Sequence, residues 1–105
     1  MGSFRLGPSQ VATAIYHLTV DELWYITSGS GYIWRAPSGH PEQGKVDRLE
    51  PGVSIAIPVG THFQWRADGG AALDVLGVDA PAWPGDGEAV LSNMAPWRAT
   101  VGDAA

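Results

Sequence analysis

Hydrophobic and polar positions alternate along the chain over short stretches that glycine and proline repeatedly cut. In "ELWYITS", residues 22–28, Glu22, Trp24 and Ile26 share one parity and Leu23, Tyr25 and Thr27 the other. That is the period of a half-buried strand. No window of about 12 residues keeps a clean helical period, because fourteen glycines and eight prolines interrupt it. Strands are predicted at 11–17, 22–28, 32–36, 46–50, 53–58, 61–67 and 71–78, all rich in β-branched or aromatic residues. Between them "SGSG", "EPG", "PVG" and "DGG" carry turn chemistry. Strands joined so tightly must mostly pair antiparallel. Only 37–45, "PSGHPEQGK", is a longer loop. "MGSFRL" reads as a flexible start, and residues 79–105 as a proline-rich extension anchored by Trp83 and Trp97. The pattern predicts an all-β fold, a small antiparallel barrel or jelly roll, as one domain over 1–105 with its core in 11–78.

Composition narrows the partners. With 105 residues, 45% of them hydrophobic, the chain can bury one core but hardly two. Six basic against eleven acidic residues give a net charge of −5, which argues against a surface that tracks nucleic-acid phosphates. Five tryptophans could stack bases, but the basic residues are scattered and make no groove. Cysteine is absent, so disulfides, thiolate ligands and a cysteine nucleophile are excluded. No apolar run approaches the roughly 18 to 20 residues that span a bilayer. A soluble cytoplasmic protein without a membrane partner is expected.

The chemistry-bearing residues cluster in two segments. "HLTVDELWYITSGSG" begins with His17, reaches Glu22 five residues on and ends in glycines that include Gly29; "PGVSIAIPVGTHFQWRA" carries Gly52, Pro58, Gly60 and His62. These segments resemble, in order and separation, the two conserved motifs of the cupin family, a β-barrel superfamily. "APAWPGDGEAV", 80–90, more weakly resembles a segment of small bacterial cupins. The resemblance implies a metal set of three histidines and one glutamate, of which only His17 and Glu22 are present. The first histidine position holds Ile15, and the second-motif position holds Phe63, with His62 one residue early. On a strand, one residue turns a side chain to the opposite face. Only a bulge beside "PVGT" could bring His62 inward, completing His17, Glu22 and His62 as a two-histidine, one-carboxylate site for a divalent metal.

If the Glu22 face is the interior, the resemblance implies a carboxylate in an apolar cup. Desolvation would raise its pKa and make it a usable acid or base near neutrality. The first expectation is therefore a metal-independent enzyme of secondary metabolism that isomerises, cyclises or eliminates on an apolar or aromatic small molecule. His17 and Glu22 would be the acid/base pair, without a cofactor, and Ile15, Trp24, Ile26, Trp34, Phe63 and Trp65 would shape the pocket. The alternatives are a metal-dependent oxygenase or isomerase using His17, Glu22 and His62, and a ligand-binding or sensory module without catalysis. Asp74, a lone acid in "ALDVLGV", is expected on the outer face. The resemblance also implies a homodimer.

Overall fold

The computed structural model describes residues 1–101. Among the described residues are nine strands: β1 (Gly2–Leu6), β2 (Ile15–His17), β3 (Asp21–Ser28), β4 (Gly31–Ala36), β5 (Lys45–Leu49), β6 (Ser54–Ile57), β7 (His62–Ala67), β8 (Leu73–Ala80) and β9 (Ala89–Leu91), with one 3-10 turn at Pro41–Gln43. They form two antiparallel sheets, ordered β1-β8-β3-β6 and β5-β4-β7-β2-β9, which do not close into a barrel. No helix among the described residues is long and apolar enough to cross a membrane.

The core lies between the sheets. On β3 the alternation works as the sequence predicts: Glu22, Trp24 and Ile26 are buried, while Leu23 and Tyr25 are about half exposed. Ile15, Ile33, Phe63 and Trp65 meet them from the five-stranded sheet. Trp24 packs edge-on against Phe63 and Trp65, with ring centroids 5.7 and 4.9 Å away. Each fully buried ring contributes on the order of 2 to 3 kcal/mol by leaving water. The turn before β4 needs Gly29, whose φ is 78° and whose missing Cβ lets the Ala72 carbonyl pass.

Three expectations for the chain ends and strand limits are corrected. "MGSFRL" is no loose start: Gly2–Leu6 forms β1, paired with β8 from Gly2↔Gly77 to Leu6↔Leu73. Phe4 and Leu6 point inward and Ser3 and Arg5 outward, so this edge strand has its own apolar side to bury. A Cβ on Gly77 would sit 2.5 Å from Phe4 Cε2, so the bare backbone of Gly77 is what lets that ring lie across β8. Of the predicted 79–105 extension, 102–105 lie outside the described residues, and the rest takes part in the fold, since β8 runs on to Ala80 and β9 pairs with β2. Conversely, the strand predicted at 11–17 shortens to Ile15–His17. Ala12 bonds to the Trp65 carbonyl and Val11 to Thr100, which splits its backbone bonding between β7 and the C-terminal segment.

The outer face of the five-stranded sheet is covered by that segment. Gln64, fully buried, donates to the carbonyls of Ala12 and Trp97 and accepts from the Trp97 amide. Arg66 lies over the Trp97 ring at 4.5 Å, so Trp97 anchors the extension as expected. Asp74 lies on the outer side of the other sheet, bound to Arg5 at 2.6 Å.

Candidate functional site

Glu22 sits near the start of β3, directly opposite Ile57 of β6 on one side and Asp79 of β8 on the other. It shares the inward parity of Trp24 and Ile26, and its side chain is 3% exposed. Asp79 shares the inward parity of Leu73, Val75 and Gly77 on β8. Two acids therefore face each other across adjacent strands, an arrangement that is unfavourable when both are ionised. The Trp24 indole N–H donates to Glu22 Oε1 at 2.7 Å. Glu22 Oε2 and Asp79 Oδ1 are buried and accept no hydrogen bond from any donor among the described residues. The two carboxyl groups are within hydrogen-bonding reach of each other, so the hydrogen that can join them is a carboxyl's own.

This geometry sets the electrostatics. Burial, reinforced by the neighbouring Asp79, pushes the Glu22 carboxyl up to about 8 against the opposing pull of the Trp24 N–H. Glu22 therefore holds its proton well above the ordinary carboxylate range. It opens onto a cavity of about 440 Å³ whose walls include Phe4, Asp79, Ala82 and Trp83. Such a space holds a small organic molecule.

His17, the other half of the predicted acid/base pair, is 1% exposed and points inward from β2. It meets Phe63 and Trp83 edge-on, at 5.4 and 5.1 Å. Trp83 lines the cavity, so His17 lies one ring behind that wall, whereas Glu22 is on it.

The predicted pocket residues divide. Ile15, Trp24, Ile26, Phe63 and Trp65 are buried and pack together in the core. They fill the space between the sheets, because edge-to-face aromatic packing closes the gap that a cup would need. Trp34 is on the other face altogether: it pairs with Gln64, and its indole lies against Gly44. The cavity is instead at one end of the sandwich, walled by β1, the ends of β3 and β8, and residues 82–83.

His62 does not join His17 and Glu22. Register along β4 and β7 runs unbroken from Gly31↔Ala67 to Ala36↔His62, so no bulge re-aims the side chain. Its ring stacks on Tyr16 at 4.3 Å, and its Nδ1 bonds the Ser92 hydroxyl at 2.6 Å, on the outer face. Burial lowers its pKa, so a neutral ring is favoured. No group of three histidines or acids that could hold a metal ion occurs among the described residues. With Ile15 and Phe63 in the core and His62 turned away, this donor set does not fit the metal that the two motifs imply.

Two chemical groups escaped the sequence reading. Asp79 was placed at the start of the extension, although its parity with Leu73 and Val75 puts it inside. Glu88, 4% exposed, accepts from the Thr19 hydroxyl and from the Thr19 and Val20 amides.

Similarity to known structures fits this arrangement. A hazelnut (Corylus avellana) vicilin superimposes with a TM-score of 0.66 at 20% identity, over 73% of this chain and 23% of that one. The Drosophila melanogaster CENP-C cupin domain gives 0.68 at 17% identity, over 74% and 58%. The chain has the cupin fold. An oxalate decarboxylase is similar too, with a TM-score of 0.65 at 16% identity, over 71% of this chain and 19% of that one. The chain spans less than two thirds of the length of each of these three structures. No family model matches the chain, and no characterised protein matches it by sequence. Cupins of such different kinds share a fold and not an activity.

Proposed function

We propose that this cupin is a metal-independent enzyme that moves a proton on a small, largely apolar molecule, with Glu22 as the group that gives and takes it. The observation that carries this reading is the Glu22 carboxyl: buried, facing Asp79, raised to about 8 and opening onto a cavity with aromatic walls. A carboxyl poised there exists in both forms near neutrality, as isomerisation, cyclisation and elimination require. Beyond serving the site, His17 holds the Trp83 wall edge-on. A homodimer belongs to the same reading. Leu23, Tyr25 and Val78, about half exposed on the outer face of the four-stranded sheet, supply an apolar surface for it.

A simple probe tests the acid/base role. Ring opening of 5-nitrobenzisoxazole needs only a base. The base takes the C3 proton, the C–H electrons form the nitrile, and the N–O bond breaks to a coloured phenolate. The wild-type chain is expected to accelerate this reaction over buffer, with a rate that climbs through pH 8, survives a chelator and disappears in E22Q. An E22Q variant as active as wild type contradicts the proposal. Sedimentation of wild type against L23E tests the dimer, which L23E should dissociate.

A further inference from the structure

The cavity wall asks for hydrogen-bond donors. Glu22 Oε2 and Asp79 Oδ1 are buried and have no donor among the described residues beyond the carboxyl proton between them, and the Trp24 N–H is committed to Glu22 Oε1. Glu22 is itself 3% exposed and is one of the residues that line the cavity. No lysine, arginine or histidine lines that cavity, and the chain carries a net charge of −5. The remaining walls include the rings of Phe4 and Trp83. Aromatic faces attract organic cations and repel anions. Trp83 is 40% exposed, leaving ring surface open to a ligand.

We propose that the cavity binds a molecule with a protonated amine head and an apolar body, the head donating to Glu22 Oε2 and Asp79 Oδ1 and the body lying between Phe4 and Trp83. An ammonium has three donors and can serve both oxygens together, whereas a hydroxyl has one. Such charge-assisted bonds are about twice as strong as neutral ones. As the ammonium enters, the proton joining the two carboxyl groups leaves to solvent: a carboxyl O–H bond breaks, and the cation balances the charge left behind. Glu22 is then a carboxylate, the base form that the proposed reaction uses. The inference rests on the proposed function for the location of the site, and on nothing of its turnover.

The test is calorimetric binding of three probes of one shape, 2-phenylethylamine, 2-phenylethanol and phenylacetate, to the full chain at pH 7. The amine should bind roughly ten-fold more tightly than the alcohol, and phenylacetate should show no saturable binding. D79N and E22Q should each erase the preference for the amine, and a cooperative melting transition in each variant reports an intact fold. An amine that binds no better than the alcohol overturns the proposal, as does an amine preference that both variants retain. Amine binding without Glu22-dependent ring opening of the benzisoxazole would retire the catalytic reading and support this one. Ring opening with no amine preference would do the reverse.

Discussion

Glu22 and Glu88 are the same residue type, both at least 96% buried, and the structure drives them in opposite directions. Glu88 is buried too, which alone would raise its pKa. The Thr19 hydroxyl, the amides of Thr19 and Val20 and the charge of nearby His17 outweigh that and hold it below the usual range. It is a fixed carboxylate that ties residues 19–20 to the segment before β9. Glu22 has a single donor, the Trp24 indole, and an acid opposite it, so burial wins and the proton stays. The difference shows that burial does not decide how a glutamate behaves; the donors around it do. It also separates structural from chemical roles, since a satisfied carboxylate holds a fold and an unsatisfied one is available to a ligand.

Removing each acid should expose the contrast, with the largest effect at Glu88. E88A strands two amides without their acceptor, and its melting temperature should fall by roughly 15 °C, while E22Q at pH 6 should melt no lower than wild type. A melting scan of the two variants side by side checks this, and equal losses would erase the distinction. The next effect is on the pH dependence of stability. Because the folded chain holds the Glu22 proton more tightly than the unfolded chain does, its contribution is full below about pH 4.5 and is lost as pH rises to about 8. Denaturant unfolding should show wild type losing on the order of 4 kcal/mol relative to E22Q across that window. The smallest effects come from removing single donors. W24F should move Glu22 higher still and T19V should move Glu88 up toward the ordinary range, each followed by carboxyl NMR; a downward move in either contradicts the donor argument.

Much of this was legible beforehand. The period-two alternation of 22–28 put Glu22 on one face with Trp24 and Ile26, which is the inner one, and the lone acid Asp74 was expected outside, where it meets Arg5. The one-residue offset of His62 from Phe63 already argued that His62 faces away, and an unbroken β7 leaves it there. The misses have physical reasons. Asp79 continues the inward parity of β8, but Gly77 carries no side chain, so the apolar signal fades two residues before the acid. β1 shows the same alternation in Phe4 and Leu6, too briefly to stand out at a chain end. Trp34 was misplaced because the C-terminal segment and the 3-10 turn region bury the outer face of the five-stranded sheet, and both parities of β4 then hold buried residues. The cavity itself is assembled from β1, β3, β8 and residues 82–83, pieces whose proximity only the topology reveals.

The central claim is that Glu22 keeps its proton at neutral pH. Carboxyl-detected NMR with glutamate labelled at the side-chain carboxyl carbon, assigned by comparison with E22Q, tests it directly. The account predicts a Glu22 signal that stays in the protonated position through pH 6 and shifts with a midpoint near 8. A midpoint in the ordinary glutamate range, near 4.5, would contradict it.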